Sequence, residues 1–176
     1  MRTMELSLAS DFCLREGCAK LYCEIFREAP WCEEFWTVPQ VMEDFSGEAA
    51  KPDFLGLAII DENEVVGFTW GYTVGMLDVR QISGHNGLDF LFASNERPVF
   101  YIDELGVKPS HRGKGLGMQL TMRLVESAKA NGAGSIILRT NKKAERAKSV
   151  YMHAGFKDLQ IQDSSHEDRT YWLLSL

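Results

Sequence analysis

The segment that decides the fold is His111-Arg112-Gly113-Lys114-Gly115-Leu116-Gly117. Its three glycines sit at alternating positions, so the backbone can turn tightly and bring its N–H groups close to a ligand. The apolar spacing from Leu116 to Ala130 predicts a helix, whose N-terminus adds unpaired N–H groups and the positive end of a dipole. Arg112 and Lys114 add full positive charges. Residues 112–117, which we call the glycine loop, are therefore predicted to bind an anion such as pyrophosphate.

Two common nucleotide-binding motifs do not fit the glycine loop. A Walker A motif needs Ser or Thr directly after Gly-Lys, but Gly113-Lys114 is followed by Gly115. A dinucleotide fingerprint needs the spacing G-x-G-x-x-G and an acidic residue on the next strand, where this sequence carries Arg139. A plain glycine turn before a helix is the structural alternative.

The glycine loop and a second motif resemble the GNAT superfamily of N-acetyltransferases. Residues 112–117 fit the acyl-CoA-binding motif of that family, (Q/R)-x-x-G-x-(G/A), at every fixed position. Residues 147–156 are similar to its later segment A-x-x-x-Y-x-x-x-G-F. The sequence departs from the family at Ala144, where many members carry an asparagine that touches the cofactor; the nearest asparagine here is Asn141. The resemblance is close over residues 99–157 and elsewhere follows the order of elements.

The hydrophobic pattern and the resemblance together predict one α/β domain over residues 1–176. We expect an α+β arrangement with a mixed, mostly antiparallel sheet of six to seven strands, a central parallel pair and about four helices. Residues 75–98, with several glycines and a proline, are predicted to be an irregular connection. The predicted strands are residues 3–9, 54–60, 65–74, 99–107, 135–140, 156–162 and 170–174, and the predicted helices are residues 11–28, 38–46, 116–130 and 144–154.

Composition narrows the functional classes. The chain has 176 residues, of which 45% are apolar and 25% are charged, as in ordinary globular proteins. Its net charge of −6 argues against general nucleic-acid binding and is compatible with a cationic substrate. The sequence contains no run of about 18 apolar residues, so no membrane span is predicted. The N-terminus lacks the apolar core of a signal peptide. We therefore expect a cytoplasmic protein.

The four cysteines predict no metal centre. Cys13, Cys18, Cys23 and Cys32 form no C-x-x-C pair and have no histidine nearby. Reduced thiols in a cytoplasmic protein account for them.

Cofactor binding is the first role that the resemblance assigns to residues. It implies that acetyl-CoA pairs with the backbone before the glycine loop and that the Leu105 or Gly106 N–H group meets the thioester oxygen. The implied cofactor-binding residues are Leu105, Gly106, Val107, Arg112, Gly113, Lys114, Gly115, Leu116, Gly117, Asn141 and Ala147.

Three residues are candidates for proton transfer. The resemblance implies that Tyr151 is the acid that protonates the departing thiolate, whereas the apolar helix stripe around it favours a core position. Asp103 and Glu104 are candidate bases, because an amine with a pKa of about 10.4 must lose a proton before it attacks. Neighbours on a regular strand face opposite ways, which favours Asp103, but a bulge would change that phase. Surface carboxylates at a strand end are the alternative.

The acceptor pocket is predicted from the segment between the first two helices. In GNAT proteins this region walls the acceptor, and Trp31, Glu34 and Trp36 would offer aromatic faces and a carboxylate to a cation. The alternative is that the aromatic residues only anchor a loop. Asp78, His85 and Asp89 are further candidates for polar contacts with the acceptor.

The sequence therefore predicts an acetyl-CoA-dependent N-acetyltransferase that acts by direct attack of the amine in a ternary complex. The expected acceptor is a small cationic amine, such as a polyamine, an aminoglycoside or an amino-acid derivative. A protein N-terminus or lysine is the alternative acceptor, and a non-catalytic acyl-CoA sensor or interaction module is the alternative class. We expect no nucleic-acid or membrane partner, and a homodimer is compatible with the sequence.

Overall fold

The computed structural model describes residues 1–93 and 97–176. This part of the chain forms a seven-stranded sheet in the order β1-β2-β3-β4-β5-β7-β6, in which only β4 and β5 are parallel. The predicted mixed α/β class is confirmed. The strands are β1 Arg2–Glu5, β2 Leu55–Asp61, β3 Glu64–Val74, β4 Val99–Val107, β5 Ser135–Asn141, β6 Lys157–Gln162 and β7 Arg169–Ser175, and the α-helices are α1 Phe12–Phe26, α2 Val38–Glu48, α3 Met76–Ser83, α4 Leu116–Ala130 and α5 Glu145–His153.

Helices cover both faces of the sheet, because successive strand residues point to opposite sides. On β3, Phe68 and Trp70 pack against α1 and α2. A register shift between β2 and β3 leaves Val66 as an extra residue without a partner on β2, and Val66 packs on the other face, against Leu116 and Leu120 of α4. None of the helices in the described residues is both long enough and apolar enough to cross a membrane.

The two parallel strands separate toward their C-terminal ends. Their pairing runs from Val99 with Ser135 to Ile102 with Leu138 and stops there. Both strands continue beyond this point, β4 to Val107 and β5 to Asn141. The last residues of β4 therefore have backbone groups that are not paired with β5.

A bulge interrupts β4 at the place where the strands separate. Trp70 of β3 lies opposite Glu104, while the next residue, Gly71, lies opposite Ile102. Asp103 is thus an extra residue without a partner on β3. A bulge of this kind changes the direction in which the following side chains point.

Two of the predicted local structures are wrong. The first strand was predicted over residues 3–9 but ends at Glu5. Met4 and Leu8, two of the apolar residues of that alternating segment, are 36% and 45% exposed. Residues 75–98 are not irregular throughout, since they contain α3 and a short 3-10 helix, Asp89–Phe92. Gly75 lies immediately before α3, and its N–H group donates to the Asp78 side chain at 2.8 Å. Gly84 lies immediately after α3, so the two glycines mark the ends of an additional helix and not a loop.

Candidate active site

A cleft of about 1130 Å³ opens where β4 and β5 separate. Its walls come from the end of α1 and the connection that follows it, from β4 and the glycine loop, and from β5 with α5. Both predicted motifs, residues 112–117 and residues 147–156, contribute to its lining. The sheet thus brings together segments that are far apart in the sequence.

The glycine loop lies at one end of this cleft. Gly115 is the residue before α4 and has a φ of 79°, in the left-handed region that favours glycine. A Cβ atom added at Gly115 would meet no atom within 4 Å, so open space lies beside the backbone. Within the described residues no side chain caps the N-terminus of α4. Its free N–H groups and dipole can therefore meet an anion.

Basic side chains also line the cleft. Arg112 lies on the cleft wall, but its guanidinium is occupied, since Nε donates to the Val107 carbonyl at 3.1 Å and Nη1 to Glu28 at 2.6 Å. Lys143 and Arg146, from the turn before α5 and its first residues, also line the cleft and were not predicted. Lys143 and Arg146 favour an anionic ligand in the cleft.

The bulge places both acidic residues of β4 on the side of α1 and α2. Tyr72 Oη donates to Asp103 Oδ2 at 2.7 Å, and Tyr22 Oη of α1 donates to Glu104 Oε1 at 3.2 Å. Both carboxyl groups line the cleft. The expectation for a regular strand, that Asp103 alone would point into the site, is therefore wrong. The cause is the extra residue in β4.

Glu104 has the more perturbed environment of the two. Burial, followed by the charge of Asp103, raises the pKa of Glu104 well above its usual range, although the Tyr22 hydrogen bond and Arg139 oppose the shift. A carboxylate with a raised pKa is a stronger base than one in water. This is a suitable property for a group that takes a proton from an amine.

Tyr151 belongs to both the core and the cleft. Its ring packs against Phe156 and Trp172, with ring centroids 5.9 and 6.3 Å apart, and the residue is only 6% exposed. It also lines the cleft, and its hydroxyl has no hydrogen-bond partner within the described residues. Burial, then the nearby Glu104, raises the pKa of its hydroxyl, so Tyr151 stays protonated at neutral pH. The ring is in the core while the hydroxyl is left free.

The other end of the cleft is bounded by the connection between α1 and α2. Trp31 and Glu33 line it, and Arg169 of β7 reaches across to Glu33 with Nη2 2.6 Å from Oε1. The Arg169 guanidinium also lies over the Trp31 ring at 5.7 Å. Of the predicted acceptor residues, Trp31 is at the cleft, while Glu34 and Trp36 do not line it. Trp36 instead donates to Glu33 at 2.9 Å and packs edge-on against Tyr22, which fits the anchoring alternative.

Several other predicted residues lie outside the cleft. Asn141 is 2% exposed, and its side chain is engaged with Asp168 and with the Lys143 N–H group. The Lys114 side chain is exposed and does not line the cleft. The three candidates from residues 75–98 have local partners instead: Asp78 binds Gly75, His85 binds Gln162 and Gly87, and Asp89 binds Arg80.

The remaining predicted cofactor-binding residues all line the cleft. They are Leu105, Gly106, Val107, Arg112, Gly113, Gly115, Leu116, Gly117 and Ala147. Tyr22, Glu33, Arg139 and Arg169 were not singled out in the sequence. Tyr22 belongs to the buried apolar side of α1, where helical spacing favours a core residue. The arginines carry no local signal of their partners. Only the short acidic and aromatic segment around Glu33 could have identified one of them.

Comparison with known proteins identifies the family. The family model of the acetyltransferase (GNAT) family matches residues 17–156. An aminoglycoside 6'-acetyltransferase type Ii is 16% identical with a TM-score of 0.69, covering 99% of this chain and 97% of its own. The NatC complex bound to Gag peptide and CoA is 16% identical with a TM-score of 0.65, covering 100% of this chain and 99% of its own. The PaiA N-acetyltransferase from Thermoplasma acidophilum, in complex with coenzyme A, is 14% identical with a TM-score of 0.66, covering 99% of this chain and 98% of its own. The TM-scores show a common fold. The match of the family model over most of the sequence shows that the chain belongs to the GNAT family of acetyltransferases.

Proposed function

We propose that this acetyltransferase transfers the acetyl group of acetyl-CoA to the primary amine of a small cationic acceptor. The observation that carries the proposal is a single cleft with opposite chemistry at its two ends. The glycine loop and the uncapped N-terminus of α4 form one end. Asp103 and Glu104, which form no ion pair within the described residues, line the other, beside the Glu33–Arg169 ion pair. An anionic cofactor and a cationic acceptor would each meet complementary charge.

Acetyl-CoA fits the first end. Its pyrophosphate would lie against the N–H groups of the glycine loop at the start of α4. Its pantetheine arm would pair with the backbone of Leu105 to Val107, which β5 leaves free. An N–H group of Leu105 or Gly106 would donate to the thioester oxygen as negative charge develops there.

The acceptor amine must then lose a proton. Glu104 would remove it, directly or through a water molecule, since its raised pKa brings it closer to that of an ammonium group. The free amine would attack the thioester carbonyl, and Tyr151 would protonate the departing thiolate. No cysteine is among the described residues that line the cleft, which supports direct attack over an acetyl-cysteine intermediate.

A matched series of four-carbon amines tests this proposal. Release of CoA would be followed with 1,4-diaminobutane, butylamine and 4-aminobutanoate, which differ only in the charge at the far end. We expect the highest kcat/KM for the diamine and the lowest for the amino acid, with about tenfold between them or more, because the acidic end of the cleft attracts a second cation. Initial rates at varied acetyl-CoA and amine should give intersecting rather than parallel lines.

The other outcomes are equally informative. Turnover of peptides with a free N-terminus, and of none of the three amines, would replace the small acceptor with a protein. Tight binding of acetyl-CoA without transfer to any amine or peptide would favour the non-catalytic sensor.

A further inference from the structure

Glu48 occupies an unfavourable position for a carboxylate. It is the last residue of α2, where the helix dipole presents its negative end, and the last turn of α2 contains no basic residue. It does not line the cleft, and it is only partly exposed. A carboxyl group in such a place needs specific partners.

The partners of Glu48 are a tryptophan and a second carboxyl group. Trp70 Nε1 donates to Glu48 Oε2 at 2.6 Å. The Glu48 and Asp103 side chains are within hydrogen-bond distance of each other, and Tyr72 Oη donates to Asp103 from the other side. Carboxylate oxygens only accept hydrogen bonds, so two carboxyl groups can bond to each other only if one of them carries a proton.

The surroundings supply little positive charge to this pair. Asp44 lies on α2 with Glu48, and Glu104 lies on β4 with Asp103. The charges of both raise the pKa of Glu48 further. Lys51, which follows α2, lies over the Tyr72 ring at 3.9 Å. Within the described residues none of the four carboxyl groups forms an ion pair. Because no basic side chain of the described residues is paired with Glu48 or Asp103, a bound proton is what can reduce the negative charge of the two groups.

We propose that Glu48 is a positioning residue of the acceptor site, which shares one proton with Asp103 and so allows Asp103 to lie beside Glu104 in the cleft. The pair then presents a single negative charge instead of two. Hydrogen bonds from Tyr72 and through the shared proton fix the orientation of the Asp103 carboxyl group. The amount of negative charge beside Glu104 is smaller than with two ionised carboxylates. The naming of the acceptor site rests on the proposed function, whereas the shared proton does not.

The shared proton has a consequence for stability. Burial, then Asp103, raises the pKa of Glu48 from 4.5 to about 11. Above about pH 4.5 the unfolded chain loses this proton while the folded chain keeps it, so the wild type loses stability as pH rises through this window, up to about pH 11. Glu48→Gln retains an acceptor for Trp70 and gains an N–H donor for Asp103, but it carries no titrating proton. The melting temperature of Glu48→Gln should therefore increase relative to wild type from about pH 5 to pH 9.

Three variants test the proposal. Glu48→Gln imitates the protonated carboxyl group, Glu48→Met removes its hydrogen bonds at similar volume, and Glu43→Gln changes an exposed carboxylate on the same helix as a control. The protonated carboxyl band in the infrared spectrum at about pH 8 should be weaker in Glu48→Gln than in the wild type, and unchanged in Glu43→Gln, with any contribution from Glu104 common to the proteins. If the band is the same in all three proteins, or if their melting temperatures run parallel with pH, the proposal is overturned.

Activity gives an independent reading. With the best amine of the four-carbon series, Glu48→Gln should keep kcat/KM near wild type at neutral pH. Glu48→Met should lose about tenfold, as expected when a hydrogen bond to a charged group is removed. An equal loss in both variants would mean that Glu48 acts as a carboxylate and would overturn the shared proton. If no amine is acetylated, the proposed acceptor fails, and the infrared and melting data, which need no acceptor, still decide the role of Glu48.

Discussion

At the scale of single residues, Tyr151 separates packing from chemistry. Its ring fills the space between Phe156 and Trp172, while its hydroxyl has no partner within the described residues and lies at the cleft. A hydroxyl without a hydrogen-bond partner in a largely buried residue calls for an explanation, and its position at the cleft offers one. The core position favoured by the helix periodicity and the site position implied by the GNAT resemblance are therefore compatible.

Tyr151→Phe should lower turnover without affecting the fold. The ring and its contacts remain, and no hydrogen bond of the described structure is lost. We expect an unchanged melting temperature and acetyl-CoA affinity, and a decrease in kcat of about 10- to 1,000-fold if the hydroxyl protonates the thiolate. Steady-state kinetics and calorimetry measure both. A variant with full activity would mean that the thiolate leaves without this acid.

Glu104 and Asp103 are predicted to differ in their effect on the pH profile. If Glu104 is the base, the wild-type rate rises as pH passes its raised pKa and the carboxyl group loses its proton. Glu104→Gln should lower the rate at every pH and flatten this rise, whereas Asp103→Asn should keep the rise and mainly increase KM for a cationic amine. Glu126→Gln, on the exposed side of α4, is the control. A flat profile in Asp103→Asn, with the rise retained in Glu104→Gln, would exchange the two roles.

At the scale of elements, α4 offers a matched pair of glycines. Gly115 precedes the helix and Gly132 follows it, with φ angles of 79° and 92°. A Cβ atom at either position would meet nothing within 4 Å. Alanine at either site therefore carries a similar backbone cost, of about 1 kcal/mol. Only Gly115 lines the cleft.

This pair isolates cofactor binding from backbone strain. Gly115→Ala and Gly132→Ala should lower the melting temperature by similar amounts, but only Gly115→Ala should weaken acetyl-CoA binding, because its methyl group occupies the space in which the pyrophosphate would lie. Calorimetric titration with acetyl-CoA decides the matter. Equal affinities in the two variants would remove the glycine loop from the cofactor site.

At the scale of the whole molecule, Asp163 joins the last part of the sheet to the cleft. Its side chain is fully buried and accepts hydrogen bonds from Arg139 of β5 at 2.8 Å and from Tyr171 of β7 at 2.6 Å. The Ser165 and His166 backbone N–H groups also donate to Asp163 Oδ1, both at 2.8 Å. Burial favours the neutral acid, but these donors and the Arg139 charge outweigh it and lower the pKa of Asp163 to about 2. Arg139 is thus held at the wall of the cleft.

Asp163→Asn should destabilise the entire fold. The change leaves the mostly buried Arg139 guanidinium without its charged partner, for which we expect a loss of about 3 kcal/mol in the free energy of unfolding. The stabilisation of the wild type is present above about pH 3.8 and is lost as pH falls toward about 2, because the unfolded carboxyl group takes up a proton first. Urea titration of both proteins at neutral pH measures the difference. Equal midpoints would show that Arg139 is solvated in the folded protein.

The sequence alone determined the elements whose signals are local. The predicted limits of β4, Val99–Val107, and of α4, Leu116–Ala130, agree with the structure, because an apolar run followed by a glycine loop and a helical stripe depends only on neighbouring residues. The same locality made the fold class and the family motifs readable. Local sequence signals did not predict α3. This helix is bounded by Gly75 and Gly84, and glycine is also common in loops.

Only the tertiary structure decided how the site is composed. The alternation of a regular strand allowed one of Asp103 and Glu104 to face the cleft, whereas the pairing of β4 with β3 leaves Asp103 as an extra residue and puts both on one side. The contacts of Glu104 with Tyr22 and of Glu33 with Arg169 join residues 82 and 136 positions apart. Such contacts follow from the order of strands in the sheet and from the packing of helices on it, which no pattern of neighbouring residues encodes.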